Sequence, residues 1–263
     1  MPIKGINIDK CSNCQACIKE CPSQNYQLDN ESGQTIFTKS GCILCGHCIA
    51  ICPENAILYE KMKGEILNFA KKQDPSTLIS YEALHPFLRA KRSIRQYKNK
   101  KVSKDLVDRV VDSMRYACTG ANIRSLKCLL ISDEVKIKLL SDSIIDYIAL
   151  GSPNTNFIKK RNLGIDPIFH NAPIVVIFYS NNQLDTRNAT IAITFGMLSA
   201  QSLGLGSCWI GYAHSALTGN TELRIKHTGI KRHVLGVMTL GYPAVKYQRA
   251  PPRPPLKVRY IEE

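Results

Sequence analysis

The sequence predicts an α+β protein built in two parts, a small cysteine-rich domain followed by a larger domain of mixed helices and strands. Eight of the eleven cysteines fall between Cys11 and Cys52, in two copies of one spacing. From residue 81 onward, amphipathic helical patterns alternate with short apolar runs that are typical of buried strands. The charge is divided in the same way, because residues 1–60 carry a net charge of −2 and the remaining residues carry +16.

The composition excludes several classes of protein. With 44% hydrophobic and 21% charged residues, the 263-residue chain has the balance of an ordinary globular protein. The N-terminal segment MPIKGINIDK contains no apolar stretch of the kind that a secretory signal needs, and the apolar run at 172–179 is far too short to span a bilayer. We therefore expect a cytoplasmic protein with no membrane partner, whose regular cysteine spacings serve metal or redox chemistry.

The cysteine repeat indicates iron–sulfur chemistry. Residues 11–22, CSNCQACIKECP, and residues 42–53, CILCGHCIAICP, both follow the pattern C-x2-C-x2-C-x3-C-P. A zinc site takes four ligands, usually as two pairs, whereas this repeat provides eight thiols in two groups of four. Two such groups, each closed by Cys-Pro, are typical of bacterial iron–sulfur runs, in which the fourth cysteine of each run ligates the other cluster. Zinc binding and disulfide formation remain the alternatives.

The exchange of the fourth cysteine predicts the ligands of two [4Fe–4S] clusters. One cluster is expected on Cys11, Cys14, Cys17 and Cys52, and the other on Cys42, Cys45, Cys48 and Cys21. Residues 1–60 resemble the two-cluster ferredoxins of bacterial type, and this resemblance implies a carrier of single electrons. His47 lies inside the second run, and we expect it to be a neighbour of the cluster, since the thiols already fill both sites.

Residues 61–80, KMKGEILNFAKKQDPSTLIS, are expected to connect the two parts. Met62, Ile66 and Phe69 recur at helical spacing, which predicts a short amphipathic helix that ends near Pro75. A plain solvated linker is the alternative. The expected organisation is a ferredoxin domain at 1–60, a linker at 61–80 and a second domain at 81–263.

The second part carries clear signals for helices and strands. Helices are predicted at 102–117, where Ser103 is the expected N-cap, at 132–148 and at 186–203. Strands are predicted at 126–131, 174–179 and 233–243, and the last residues, from 248 onward, contain too many prolines for a helix.

Three segments of this part resemble the FMN-dependent nitroreductase family. They are AKRSIRQYK at 90–98, CTGANIRS at 118–125 and LGLGSCWIG at 203–211. The resemblance covers roughly residues 81–255 and implies an α/β sandwich with a mainly antiparallel sheet. It also implies bound FMN and a homodimer, with the flavin at the subunit interface and the C-terminal tail over the partner. A solvated basic turn remains the alternative for 90–98.

The resemblance assigns roles to individual residues. It implies that cations and a hydroxyl of the first motif bind the FMN phosphate, since guanidinium groups pair well with phosphate oxygens: Lys91, Arg92, Ser93 and Arg95. Asn122 is expected to face the pyrimidine side of the flavin, and Ile210 and Gly211 to offer a backbone N–H to flavin N5. Arg249, or alternatively Arg253, is expected to close on the phosphate.

Two cofactors in one chain predict an oxidoreductase, similar to the ferredoxin–nitroreductase fusions of anaerobic bacteria and protists. Electrons are expected to pass from the clusters through FMN to a small acceptor such as a nitro compound or a quinone. No G-x-G-x-x-G motif opens a βαβ unit, so the expected donor is NAD(P)H stacked on the flavin or an external reduced ferredoxin. The alternatives are an electron-transfer protein that serves a larger redox partner and, ranked last, a nucleic-acid-binding protein, since few aromatic residues accompany the cations.

Arg124 stands where the nitroreductase family often has Gln, and the substitution leaves its role open. We expect either a changed contact on the pyrimidine side or stabilisation of negative charge on the reduced flavin. Of the three other cysteines, Cys128 and Cys208 are expected to be structural, and only Cys118 is expected to lie near the flavin.

Overall fold

A computed structural model describes residues 3–38, 41–60, 64, 66–69, 74–151 and 155–261 of the chain. The chain divides into two compact units. Unit 1 comprises Met1–Pro75 together with Thr119–Arg124, and unit 2 comprises Ser76–Cys118 and Ser125–Glu263. Between the two sequence domains, Met62 of the expected linker helix lies outside the described residues, and residues 66–69 form no helix.

In unit 1, one backbone pattern occurs twice. Two five-residue helices, α1 at Ala16–Glu20 and α2 at His47–Ile51, occupy equivalent positions in the two cysteine runs. Two antiparallel strand pairs complete the unit: β1 (Ile3–Ile6) with β4 (Ile57–Tyr59), and β2 (Tyr26–Leu28) with β3 (Thr35–Phe37). The first pair joins the start of the cysteine-rich segment to its end.

The repeat extends to unusual backbone angles. Positive φ values recur at two pairs of equivalent positions in the runs, at 52° and 58° for Asn13 and Leu44 and at 62° and 79° for Gln15 and Gly46. A third pair, Gln24 and Asn55, lies just after the runs, with φ of 51° for both. Residues with a Cβ atom rarely adopt the left-handed region, so the surrounding contacts must hold five of these six residues in place. The sequence repeat is therefore a repeat of three-dimensional structure.

The sheet of unit 2 has four antiparallel strands in the order β5–β6–β8–β7. Their bounds are Lys127–Ile131 for β5, Ile174–Ser180 for β6, Gly206–Trp209 for β7 and His233–Gly241 for β8. The strands expected at 126–131, 174–179 and 233–243 and the antiparallel sheet are thus confirmed. Strand β7, with four residues, is the shortest of the four strands and pairs with β8 alone.

Seven helices lie among the described residues of unit 2, with these bounds: α3 Tyr81–Ala90, α4 Lys104–Met114, α5 Glu134–Gly151, α6 Thr155–Asn162, α7 Thr186–Ser202, α8 Gly211–Gly219 and α9 Thr221–Thr228. The three expected helices are confirmed as α4, α5 and α7. Ser103 caps α4 as expected, because its hydroxyl accepts the N–H of Leu106 at 3.4 Å. None of the helices in this part of the structure is long and apolar enough to cross a membrane.

Helices cover both faces of the sheet. Strand β6 sends Val175 and Ile177 into one core with α5, α8 and α9, and it sends Val176 and Phe178 into a second core with α4 and α7. Because both faces are buried, β6 is apolar at consecutive positions instead of alternating. The described C-terminal residues, 242–261, contain neither helix nor strand, which confirms that the proline-rich end forms no helix.

A buried carboxylate connects β6 to the start of α7. Asp185 is only 2% exposed. Its Oδ2 atom accepts hydrogen bonds from the hydroxyl of Ser125 at 2.5 Å and from the hydroxyl of Ser180. These hydrogen bonds, with that of Ser125 as the largest cause, lower the pKa of Asp185 below its usual range. The carboxylate therefore stabilises the folded state only while it is ionised.

We expect Asp185→Asn to lower the free energy of unfolding at pH 7 by about 1.5–3 kcal/mol, because hydrogen bonds to a charged acceptor are lost. The folded pKa lies below the unfolded value of about 3.9. In the natural chain the contribution is therefore present above a pH of about 3.9 and is lost as the pH falls through the folded pKa, whereas in the variant this loss is absent.

Denaturant unfolding at a series of pH values, followed by the fluorescence of the single tryptophan, Trp209 in unit 2, measures the difference. Asp108→Asn, at an exposed ion pair with Lys104, is the control and should change the free energy by less than about 1 kcal/mol. Equal pH profiles for the natural chain and Asp185→Asn would contradict the assignment.

Candidate functional site

The fold brings the eight cysteines of the repeat together in two sets. A cavity in unit 1 is lined by Cys11, Cys14, Cys17 and Cys52, and a second cavity is lined by Cys21, Cys42, Cys45 and Cys48. In each set, three cysteines come from one run and the fourth comes from the other run. These are the two sets that the spacing predicts as cluster ligands.

The surroundings of the thiols suit iron–sulfur clusters. The backbone N–H groups of Asn25 and Ala56 donate to the sulfur atoms of Cys21 and Cys52, both at 3.3 Å. Burial raises the pKa of the Cys17 thiol to about 11, so deprotonation there needs a compensating positive charge, which a bound metal supplies.

A single metal ion fits these cavities less well than a cluster does. Within the part of the chain that the structure describes, no three His, Cys, Asp or Glu side chains lie close enough together to hold one metal ion. The four thiols of each set instead surround a space, as ligands of a multi-atom cluster must. His47 lines the second cavity, and its Nδ1 atom lies 3.3 Å from the Glu20 carboxylate.

The remaining cysteines belong to neither set. Cys128 is half-buried in β5, where burial raises the pKa of its thiol. Cys208 is buried in β7, and its thiol lies 3.4 Å from the carbonyl oxygen of Trp209. Cys118 is exposed. The two thiols expected to be structural are therefore the two that the fold covers.

Unit 2 contains a basic cavity of about 920 Å³. Four residues of the first nitroreductase-like segment line it, Lys91, Arg92, Ser93 and Arg95, and Arg253 of the C-terminal tail lines it as well. Arg249 does not belong to its lining. Of the two tail arginines expected near the phosphate, the fold thus brings Arg253 to the other four residues.

Residues 91–95, which we call the basic segment, are attached to the sheet at β7. The N–H of Ile94 donates to the carbonyl of Ser207 at 3.1 Å, and the Ile94 side chain is buried. Tyr97 donates its hydroxyl to the carbonyl of Ile94 at 2.9 Å. A Cβ atom on Gly206 would lie 2.7–2.9 Å from three side-chain atoms of Ile94, so the close approach of the segment to β7 requires glycine.

The cavity concentrates positive charge. No Asp or Glu belongs to its lining, and among the described residues none of the ion pairs includes Lys91, Arg92, Arg95 or Arg253. Burial lowers the pKa of the Lys91 ammonium, and the charge of Arg92 lowers it further. A phosphate group would neutralise these cations and accept their hydrogen bonds.

Ile210 and Gly211 lie at the junction of β7 and α8. The N–H of Ile210 already donates to the carbonyl of Val237 at 2.8 Å. Gly211 is the first residue of α8, where a backbone N–H has no partner within the helix. Of the two expected N–H donors to a flavin, Gly211 is therefore the one whose position in the fold leaves its N–H available.

Asn122 and Arg124 make contacts that sequence reasoning missed. The Asn122 amide nitrogen donates to the carbonyls of Ile43 and Leu44, at 2.9 and 2.7 Å. Arg124 donates to the same Leu44 carbonyl at 3.0 Å. All of these residues belong to unit 1. The only signal in the sequence was that Arg124 departs from the usual family residue, while the flavin contact expected for Asn122 stays a prediction.

Comparisons with known proteins agree with this division. The nitroreductase family model matches residues 88–242, more than half of the chain, and a 4Fe-4S dicluster domain model matches residues 3–53. The chain therefore belongs to the nitroreductase family of oxidoreductases. It is a fusion in which a 4Fe-4S dicluster ferredoxin domain precedes the nitroreductase domain.

Solved structures share the fold of the larger part. A nitroreductase with bound FMN from Bacteroides fragilis is 22% identical, with a TM-score of 0.57, over 67% of this chain and 98% of that chain. A nitroreductase with bound FMN from Desulfitobacterium hafniense is 18% identical, also with a TM-score of 0.57, over 68% of this chain and 97% of that chain. At these identities, the likeness shows the fold alone.

Curated relatives match one part of the chain at a time. The iron–sulfur subunit of the nitrate-inducible formate dehydrogenase of Escherichia coli is 40% identical over 52 residues, which are 19% of this chain and 18% of that protein. A Methanothermobacter thermautotrophicus protein, provisionally named as an NADH dehydrogenase/NAD(P)H nitroreductase, is 24% identical over 60% of this chain and 75% of its own length. The chain spans only 10–18% of the length of the first curated relatives that it matches.

We expect Gly206→Ala to destabilise unit 2 by about 1–3 kcal/mol, because the added methyl group displaces the buried Ile94 and with it the basic segment 91–95 that contains this residue. The change should lower the thermal unfolding midpoint. Gly151→Ala is the control, since nothing lies within 4 Å of its added Cβ atom, and it should leave the midpoint unchanged or slightly raised. An equal midpoint for Gly206→Ala and the natural chain would show that the segment is not held at this glycine.

Proposed function

We propose that the chain is an FMN- and iron–sulfur-dependent oxidoreductase that passes electrons from two [4Fe–4S] clusters through FMN to nitro compounds, quinones or related small acceptors. One observation carries the proposal. A single chain holds two four-cysteine sets with exchanged fourth members and, in a nitroreductase-family unit, a cationic cavity without a carboxylate. The clusters would supply single-electron transfer, and the flavin would supply two-electron chemistry at the acceptor.

The protein's own residues would bind and orient the two kinds of cofactor. Lys91, Arg92, Ser93, Arg95 and Arg253 would hold the FMN phosphate in the basic cavity that they line. Gly211 would offer its N–H to the flavin ring from the start of α8. Two FMN-bound nitroreductase structures with the same fold support this assignment. A contact between Arg249 and the FMN phosphate stays part of the proposal, although Arg249 does not line the cavity.

The cysteines of the two runs would hold the clusters. Cys11, Cys14, Cys17 and Cys52 would ligate one cluster, and Cys42, Cys45, Cys48 and Cys21 the other. The N–H groups that donate to the sulfur atoms of Cys21 and Cys52 would stabilise thiolates there. No acid–base side chain stands out in the sequence, and solvent would supply the protons.

Electron donor, assembly and location belong to the same proposal. NAD(P)H is one candidate donor, supported by the name of the M. thermautotrophicus relative. Reduced ferredoxin is the other, and it would deliver electrons to the clusters. We also propose a cytoplasmic homodimer with no membrane or nucleic-acid partner.

A second function, electron transfer to a larger redox partner, is favoured by one observation. The cysteine-rich residues are 40% identical to part of an iron–sulfur subunit, a protein that its name places in a larger formate dehydrogenase. The +16 charge of the second part of the chain would attract an acidic partner. A purified holoprotein that reduces no small acceptor, yet transfers electrons when a partner is added, would favour this function over the first.

The first experiment is anaerobic reconstitution of the full chain, followed by quantification of its cofactors. We expect about eight iron and eight sulfide ions per chain, as two four-iron clusters require, together with one FMN. Titration with NADH, NADPH and then dithionite should bleach the cluster and flavin absorbance, and later addition of a nitroaromatic or a quinone should restore both.

Two cysteine variants test whether the fourth cysteine of each run is a cluster ligand. Cys52→Ala and Cys21→Ala should each lose about half of the iron while FMN is retained. Iron without flavin would contradict the FMN half of the proposal, and flavin without iron would contradict the cluster half. Clusters that become reduced but never pass electrons to FMN would contradict the proposed electron transfer between the two cofactors.

We expect Arg95→Ala to weaken FMN binding roughly 10- to 100-fold, because a charge-assisted hydrogen bond worth about 1.5–3 kcal/mol is removed. FMN release, measured by flavin fluorescence after dilution, checks this. Arg109→Ala is the control, because it removes an exposed cation of α4 that lies outside the cavity lining. Equal FMN affinities for the two variants would contradict the phosphate role.

A further inference from the structure

Asn122 and Arg124 break the symmetry of the two cysteine runs. The loops Cys11–Cys14 and Cys42–Cys45 are equivalent in spacing and in the left-handed φ of their third residues, Asn13 and Leu44. The second loop nevertheless receives three side-chain hydrogen bonds, two from Asn122 and one from Arg124. Among the described residues, no side chain donates in this way to the carbonyls of the first loop.

The direction of these hydrogen bonds also determines where the N–H groups of the same peptide groups point. In a trans peptide group the C=O and the N–H point in opposite directions, and the described peptide bonds include no cis form. The carbonyls of Ile43 and Leu44 face Asn122, which lies outside the cavity lining, whereas Leu44 and Cys45 line the cavity. The N–H groups of Leu44 and Cys45 therefore point away from Asn122, in a loop of which Ile43, Leu44 and Cys45 all line the cavity.

The resulting arrangement suits an anionic sulfur atom. Successive N–H groups around a left-handed residue form a concave anion-binding site, which is common around Fe–S clusters. A donor on the carbonyl of a peptide group also polarises that group and strengthens the hydrogen bond from its N–H. The guanidinium of Arg124 adds a positive charge near the same loop. Each of these effects stabilises the more negative, reduced state of a cluster.

We propose that Asn122 and Arg124 are positioning residues that raise the reduction potential of one cluster above that of the other cluster. The cluster with the raised potential is the one held by Cys42, Cys45, Cys48 and Cys21. Asn122 and Arg124 act through the Ile43 and Leu44 peptide groups. Electrons that enter unit 1 then reside mainly on this cluster. The segment that supplies both side chains, Thr119–Arg124, is flanked in sequence on each side by residues of unit 2. The proposal rests on the proposed function for the presence of the clusters.

The test is an anaerobic redox titration of the full holoprotein with dithionite, followed by EPR. Each cluster takes up one electron from dithionite, which is oxidised, and no bond to the protein forms or breaks. Asn122→Ala should lower one of the two cluster potentials by about 59 mV, which is a tenfold change in the equilibrium constant of a one-electron reduction. Asn122→Asp, which keeps the shape but places a negative charge against two carbonyls, should lower it further.

Two further variants complete the design. Arg124→Gln removes the charge of an exposed side chain and should lower the same potential, and it keeps the test valid if the Asn122 variants fail to fold. Ile123→Ala is the matched control, because it changes a side chain of the same segment that is 45% exposed and donates no hydrogen bond. It should leave both potentials unchanged.

Iron, sulfide and FMN are quantified in every variant, so that loss of a cofactor, which would count against the proposed function, is separated from a changed potential. Unchanged cluster potentials in a fully loaded Asn122→Ala protein would overturn the proposal, and so would equal shifts of both clusters. A changed flavin potential or FMN affinity with unchanged clusters would also overturn it, in favour of a direct contact between Asn122 and the flavin.

Discussion

The exchange of one cysteine between two runs is the constraint on which the small unit depends. Its helices have five residues each and its strands three or four, lengths that are not stable alone. Among its described residues, the hydrophobic cluster contains only four buried members, Ile3, Tyr26, Cys48 and Ile57. A cluster that joins Cys52 to the first run, or Cys21 to the second, would connect the halves covalently through metal, so that cofactor binding and folding become one process.

The large unit depends on a different constraint, the burial of both faces of its central strands. A sheet covered on each side offers few polar positions, so its binding chemistry must come from segments at its margins. The basic segment 91–95 is such a segment, and it is held against β7 by the contact between Ile94 and Gly206. A rigid attachment allows several cations to remain close together, although they repel one another when no anion is bound.

Local signals were sufficient to predict much of the structure. The cysteine spacing anticipated the two thiol sets, and hydrophobic periodicity with the cap at Ser103 anticipated α4. The strands of the sheet were recognisable as apolar runs. Helix α9 also had local signals, since Asn220 caps its start and Gly229 ends it with φ of 67°, but its eight residues carry too short a periodic pattern to stand out.

Contacts between residues distant in the chain were not predictable. Asn122 meets Ile43 across 79 residues, and no periodicity links the two positions. The partner of the Ile210 N–H is set by the pairing of β7 with β8, which the sequence does not specify. Arg253 lines the basic cavity and Arg249 does not, because of the path that the C-terminal tail takes. No local sequence signal distinguishes the two arginines, so this path was not predictable.

The repetition of left-handed residues in the two cysteine runs has a consequence for the direction of electron flow. Two sites built from the same backbone geometry are close to degenerate, and an electron shared between degenerate sites spends equal time on each. Such a pair conducts equally well in both directions. Any preferred direction must therefore come from positions at which the two runs differ, or from residues outside the repeat such as Asn122 and Arg124.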